Sequence, residues 1–284
     1  MDFEELRPWI QLVLEEDIRE GDHSSLACVP EDAQDVAVLL VKEAGVLAGV
    51  EVAKWVFDHF DSKIEFDVFI EDGTSVKPGQ RAFEVRGSAR SILTVERTAL
   101  NIMQRLSGIA TMSNELSRMI AHTSCKLLDT RKTTPGMRTL EKMAVKLGGA
   151  HNHRHGLYDM IMIKDNHIDY AGGIHAAMDR TREYLKRNEL DLRIEIEARD
   201  IGEVKKIMSG DVPDRVMLDN FSLEDMRWAV DFIEGRAETE ASGGITASTI
   251  VPIAETGVDF ISVGALTHSV KSLDLSLKAK SSLH

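Results

Sequence analysis

Between Lys126 and Lys164 the chain carries eight Lys/Arg residues (126, 131, 132, 138, 142, 146, 154 and 164) against Asp129, Glu141 and Asp159. His151, His153 and His155 alternate within the same stretch. The local balance is +5 in a chain of formal net charge −13, which leaves the remainder at −18. Guanidinium forks suit carboxylates and phosphates, and Lys adds a compact point charge. A basic island in an acidic protein therefore points to a site for a small, highly anionic ligand, although two solvated helix faces would give the same count. The overall acidity argues against non-specific nucleic-acid binding.

Further along, Glu197 and Asp219 are carboxylates at the ends of two short apolar runs. Hard oxygen ligands of this kind suit Mg²⁺, which binds few carboxylates plus substrate oxygens. Glu195 shares a strand face with Glu197 and is an alternate, or else an ion-pair partner of a nearby Lys or Arg. Ser242-Gly243-Gly244 and Gly264-Ala265 follow two later runs, where glycine lets a backbone N–H approach a phosphate closely. Three histidines at two-residue spacing would all face one side of an extended segment, the placement a zinc site needs.

These residues need elements to hold them. Apolar runs recur at 125–129, 146–153 (the poorest), 160–164, 193–198, 215–219, 239–242 and 260–264. Between them lie amphipathic stretches such as RTLEKMAVKL, IGEVKKIMS, LEDMRWAVDFI and ITASTIVPIAETG. Strand–helix alternation predicts a parallel sheet, here a seven-stranded open α/β barrel of the TIM type. The runs end at Asp129, His153, Lys164, Glu197, Asp219, Ser242 and Gly264, where such barrels build their active sites.

The first part of the chain reads differently. Strand patterns at 36–41, 63–70 and 81–87, a helix around 50–60 and the turn EDGTSVKPGQ predict an N-terminal α+β sandwich domain. A helical pattern at 91–121 follows, which Gly108 is expected to break or kink. The expected domains are 1–112 and 113–269, with the tail 270–284 packing on the first. The Gly-rich turn is locally similar to biotinyl and lipoyl carrier modules, but their exposed Lys hairpin is missing. No apolar run approaches the roughly 18 residues of a membrane helix. The acidic start MDFEELRPWIQLVLEED lacks the order of a signal peptide. Cys28 and Cys125, far apart, fit a reducing compartment, with the cytoplasm as the expected location.

The segment LDTRKTTPGMRTLEKMAVKLGGAHNHRHGLYDMIMIKDNHI (128–168) closely resembles the quinolinate phosphoribosyltransferases, also called nicotinate-nucleotide pyrophosphorylases (carboxylating). The likeness extends to VERTALNIMQRLSGIAT (95–111), EIEA (195–198), MLDNFS (217–222), EASGGIT (240–246) and ETGVDFISVGALTHS (255–269). Ala150 departs from it, standing where the family usually has a third glycine. The resemblance implies transfer of phosphoribose from phosphoribosyl pyrophosphate to quinolinate, giving nicotinate mononucleotide, pyrophosphate and CO₂, a step of NAD biosynthesis.

It also implies roles. Arg97, Arg131, His153 and Arg154 would hold the quinolinate carboxylates, while Lys132 and Lys164 would lie against the pyridine and the pyrophosphate end. Glu197 and Asp219 would face the ribose and its Mg²⁺. Ser242, Gly243, Gly244, Gly264, Ala265 and His268 would bind phosphate. His153 belongs to the family's Asn-His-Arg motif, which disfavours a metal at the histidines. The family's homodimer would let Arg97 serve the neighbouring subunit. Beyond this self-association and the two small substrates, neither nucleic acid nor membrane is an expected partner. The alternatives are a phosphoribosyltransferase for another pyridine carboxylate such as nicotinate, a molybdenum-associated paralogue, or a non-catalytic binder of phosphorylated ligands. The last would need neither Lys164 nor the carboxylate pair.

Overall fold

A computed structural model describes residues 2–280. The chain opens with α1 (Phe3–Ile18), α2 (His23–Cys28), β1 (Gln34–Val41), β2 (Gly45–Val46) and α3 (Val50–Phe60). β3 (Glu65–Val68), β4 (Ser75–Val76) and β5 (Arg81–Ser88) then lead into the long α4 (Ala89–Met119). There follow β6 (Lys126–Leu128), α5 (Arg138–Leu147), β7 (Ile161–Ile163), α6 (Asp165–Ala171) and α7 (Ile174–Arg187). The alternation continues through β8 (Ile194–Ala198), α8 (Ile201–Met208), β9 (Arg215–Asp219), α9 (Leu223–Ile233) and β10 (Glu238–Ser242). The last elements are α10 (Ile250–Ala254), β11 (Phe260–Ser262), α11 (Ala265–His268) and β12 (Leu275–Ala279). No helix among the described residues is long and apolar enough to cross a membrane.

Two compact units result. The first takes the chain up to Asn114, Pro135–Gly149 and the chain from Val270. Its sheet is antiparallel in the order β12-β1-β5-β3, so the C-terminal strand pairs with the first one, Leu277 opposite Leu39. α5 groups with this unit and not with the parallel sheet. Arg105 grips buried Glu141 (Nε to Oε1, 2.7 Å), and Asn114 donates to the carbonyl of Gly148. A Cβ on Gly148 would stand 2.3 Å from the Ala110 carbonyl, so glycine permits this close approach.

The second unit, Glu115–Thr134 and Ala150–Ser269, holds a parallel sheet in the order β6-β11-β10-β9-β8-β7. Six strands form where seven runs suggested seven. The run at 146–153 is the exception: its first residues end α5 and turn through Gly149 at φ +90, leaving a single parallel bridge from His151 to Leu128. Strand periodicity divides the sheet cleanly. Ile194, Ile196, Val216, Leu218, Ala241 and Ile261 are buried on one face. The other carries Met162 and Lys164, Glu195 and Glu197, Arg215, Met217 and Asp219, Glu238, Glu240 and Ser242, and Ser262. The register Met162↔Glu195↔Arg215 and Met217↔Glu240 places them in rows.

Gly108 does not break α4, which runs unbroken from 89 to 119. A Cβ there would lie 2.2 Å from the backbone carbonyl of Lys271. The glycine makes room for the returning chain. Helix propensity alone would have Gly108→Ala stabilise by about 1 kcal/mol. Overpacking costs about 1–3 kcal/mol and should win. Denaturant unfolding is therefore expected to show Gly108→Ala less stable than the parent, and a more stable variant would refute this account of the helix.

Candidate active site

The polar residues converge at the C-terminal ends of the parallel strands, around a cavity of about 340 Å³. Thr130, Arg131 and Lys132 enter it from the segment after β6, and His153 and Arg154 from just beyond the His151 bridge. Lys164 directly follows β7, and Ser242 ends β10. Met162, Met217, Glu240 and Ser262 complete the lining. Three of these lay within reach of the strand period. Met162, Met217 and Glu240 each stand two residues before a site candidate (Lys164, Asp219 and Ser242) and so share its face.

The cations are held from behind. Lys132 donates its N–H to Thr130 Oγ1, and its carbonyl accepts from Thr267 Oγ1 at 2.9 Å. Its Cδ passes 2.9 Å from where a Cβ on Gly264 would be, and the His268 ring lies 3.1 Å from the same point. Only glycine admits both side chains. Arg154 donates through Nη1 to the Met160 carbonyl, 3.2 Å. Burial and then the neighbouring charge of Arg131 lower the Arg154 pKa. The two guanidiniums thus repel each other within one cavity, and a bound anion relieves that repulsion.

Glu197 and Asp219 stand next to this group without lining the cavity. Lys164 Nζ reaches Glu197 Oε2 at 3.3 Å, while the Lys164 N–H donates to His167 Nδ1. Burial raises the Glu197 pKa, Lys164 opposes this, and the charge of Asp219 adds to the rise. Asp219 accepts from Asn220 Nδ2 at 2.7 Å. Asn220 itself sits at φ +56, and its N–H returns to the Ser242 carbonyl. Gly243, at φ +98, packs so tightly that a Cβ would lie 2.2 Å from Asn220 Oδ1. Asn220, absent from the expected site, locks the carboxylate to the glycine loop.

Gly243, Gly244, Gly264, Ala265 and His268 stand in the turns after β10 and β11 but do not line the cavity. His268 Nδ1 lies 2.7 Å from Ser269 Oγ. Arg97 is exposed on the first-unit part of α4 and is likewise not among the lining residues. His151 and His155 do not join His153 in a ligand set. Among the described residues His153 groups instead with Glu195 and Glu240.

That trio is deeply buried: Glu195 and Glu240 are 0% exposed and His153 8%. His153 Nε2 stands between Glu195 Oε2 (3.1 Å) and Glu240 Oε2 (3.3 Å). Its Nδ1 accepts the Arg154 backbone N–H at 2.7 Å. Both ring nitrogens are therefore engaged by protein groups, and the ring meets the cavity as a wall. Arg215 closes the cluster from below, with Nη1 2.8 Å from Glu240 Oε2 and 3.9 Å from Glu195 Oε2. Glu195 thus lies inside the sheet between His153 and Arg215, outside the cavity lining.

Burial opposes charge on His153, but the two carboxylates carry its pKa up to about 9. Burial and then the charge of Glu240 raise Glu195. Glu240 moves the other way, because the contacts from His153, Ser262 and Arg215 outweigh its own burial. The shifts on His153, Glu195 and Glu240 belong to the cluster as a whole rather than to any one member.

Known proteins share this architecture. Residues 109–278 match the family described as "Quinolinate phosphoribosyl transferase, C-terminal domain", and residues 22–107 match its N-terminal domain. The chloroplastic nicotinate-nucleotide pyrophosphorylase [carboxylating] of Oryza sativa subsp. japonica is 44% identical over 98% of this chain and 79% of its own. The solved NadC of Streptococcus pyogenes superposes with a TM-score of 0.93 at 39% identity, covering 98% of this chain and 97% of that one. The nicotinate-nucleotide pyrophosphorylase of Francisella tularensis gives 0.92 at 40% identity over 99% and 98%.

The lock between Gly243 and Asn220 has a measurable consequence. Gly243→Ala places a Cβ on a left-handed residue and into the Asn220 amide, and is expected to destabilise by about 1–3 kcal/mol. Adding Asn220→Gly should recover part of that loss, measured by denaturant unfolding. If the second change recovers nothing, the clash is not where the structure puts it.

Proposed function

The chain belongs to the quinolinate phosphoribosyltransferase family, and from that premise we propose what each part of its cavity does. The enzyme is a decarboxylating pentosyltransferase of pyridine nucleotide biosynthesis. It takes quinolinate and phosphoribosyl pyrophosphate to nicotinate mononucleotide, pyrophosphate and CO₂. The observation that carries the assignment of roles is the gathering of Arg131, Lys132, Arg154 and Lys164 around one cavity. Quinolinate brings two adjacent carboxylates, and forked guanidiniums from two different segments suit such a pair. Lys132 and Lys164 take the pyridine edge and the pyrophosphate end.

The chemistry then divides along the site. As the pyridine nitrogen bonds to the anomeric carbon, the bond to pyrophosphate breaks and positive charge develops on the ribose. Glu197 and Asp219 face that charge. Lys164, 3.3 Å from Glu197, opposes the rise that burial imposes on this carboxyl. The same carboxylates fit Mg²⁺, a hard cation that takes one or two of them together with substrate phosphate oxygens. When bound, the ion neutralises the departing pyrophosphate. Ser242, Gly243, Gly244, Gly264, Ala265 and His268 supply the donors for the ribose phosphate.

The sheet is read as an open barrel in which the His151 bridge stands for the seventh strand, supported by the parallel order and the intervening helices. The free thiols of Cys28 and Cys125 support a reducing compartment, with the cytoplasm proposed. Arg97 supports a homodimer. The family resemblance makes it a carboxylate ligand, yet it does not line this cavity, so it serves the site of a second subunit.

The direct test supplies quinolinate, the ribose donor and Mg²⁺ and follows CO₂ release. Glu197→Gln and Asp219→Asn are expected to slow turnover by about 10²–10³ while sparing quinolinate binding measured without the donor. Lost quinolinate affinity with intact turnover would put these carboxylates at the wrong end of the site. For Arg97, two inactive chains, Arg97→Ala and Lys132→Ala, are mixed. Heterodimers should regain one intact site, and silence despite demonstrated subunit exchange would reject the shared site.

A further inference from the structure

We propose that Glu240 and Arg215 are positioning residues for the quinolinate pocket: acting through His153, they fix the backbone and guanidinium of Arg154. The proposal rests on the reading of Arg154 as a carboxylate ligand.

The path is continuous. Arg215 is 5% exposed, and its guanidinium engages Glu240 at 2.8 Å and Glu238 at 3.0 Å. Its flat face lies 4.0 Å from the centre of the Phe260 ring, so it cannot swing within the sheet. Glu240, held there, presents Oε2 to His153 Nε2. The two carboxylates at Nε2, Glu240 at 3.3 Å and Glu195 at 3.1 Å, together favour the ring hydrogen on that nitrogen and a bare Nδ1. Only a bare Nδ1 accepts the Arg154 N–H. The contact is 2.7 Å, and it anchors the peptide from which the Arg154 side chain departs toward the cavity. The Arg154 backbone is therefore tied through His153 to Glu240 and Arg215, while its guanidinium rests on the Met160 carbonyl.

Two further observations separate this from ordinary packing. Apolar side chains usually fill the interior of such sheets, and a buried ion pair is weak evidence for stability, since apolar residues of similar volume often serve as well. Here the ionic cluster forms part of the pocket floor, with Glu240 and His153 in the lining, and His153 is the residue next to a carboxylate ligand. Glu195 is wholly buried with neither oxygen in a well-aligned hydrogen bond, so charge rather than hydrogen-bond geometry holds it there.

The test begins with Glu240→Gln, which keeps size and shape but weakens the hold on Arg215 and on the His153 hydrogen. The KM for quinolinate should rise about tenfold, as expected for a misplaced charge-assisted hydrogen bond. The KM for the ribose donor and the thermal midpoint should stay near the parent values. Combined with Arg154→Lys, the effect should be less than the product of the single changes, because both act on one contact. Imidazole ¹⁵N spectra, with His153 identified by its loss in His153→Gln, should show a protonated Nε2 and bare Nδ1 in the parent and a mixture in Glu240→Gln. Should Glu240→Gln fail to fold, Arg215→Lys retains the charge without the fork and carries the same expectations at a smaller rise. An unchanged quinolinate KM in a folded variant, equal rises for both substrates, or strictly multiplicative effects would overturn the proposal while Arg154→Lys still raised the quinolinate KM. If Arg154→Lys itself has no effect, the pocket assignment fails and this inference with it.

Discussion

Glu195 and Glu240 lie wholly inside the parallel sheet, and a carboxylate taken out of water must be neutralised where it stands. That requirement orders the middle of the second unit. It calls for a cation between β8 and β10, which Arg215 supplies from β9, the strand that separates them. It also calls for a donor from above, and His153 supplies that from a chain segment too short to form a strand of its own. The seventh run gives up its ladder but keeps its one contact with the cluster.

Function is built on the upper side of the same constraint. Arg131 and Arg154 come from segments joined to the sheet at neighbouring points, with β6 paired to the His151 bridge. Burial, and then the charge of Arg131, lower the Arg154 pKa. Under the proposed function a dianionic ligand would offset both, and side chains already gathered around one cavity are preorganised for it. At the far side, one cation, Lys164, and two carboxylates, Glu197 and Asp219, follow or end three adjacent strands. Under the proposed roles, one sheet carries both the anion-binding half and the half that meets positive charge.

How much of this the sequence showed depended on whether the signal was local. RTLEKMAVKL reads as a helix from its apolar spacing, and α5 spans those ten residues. The runs at 193–198 and 215–219 became β8 and β9 almost to the residue. Lys132, Lys164 and Ser242 follow strand ends, and they line the cavity. What stayed hidden was non-local. Glu240 sits in a run that reads as an ordinary polar strand, and nothing within it reveals that the Arg215 side chain, 25 residues earlier, reaches it diagonally from the neighbouring strand. Gly108 looked like a helix breaker because the carbonyl that needs its empty space belongs to Lys271. β12 was missed although LSLKA alternates, since its partner β1 lies at the other end of the chain.

The central claim is that the pocket is built for two carboxylates rather than one. Nicotinate lacks the carboxylate beside the ring nitrogen and would leave part of the cationic group desolvated and unmatched. Sites made for a polar group reject analogues lacking it by roughly 10⁴-fold or more. The measurement is kcat/KM for quinolinate against nicotinate on the same preparation, with phosphoribosyl pyrophosphate and Mg²⁺ saturating. A preference for quinolinate of that order is the expected result, and equal values or a preference for nicotinate would contradict the account.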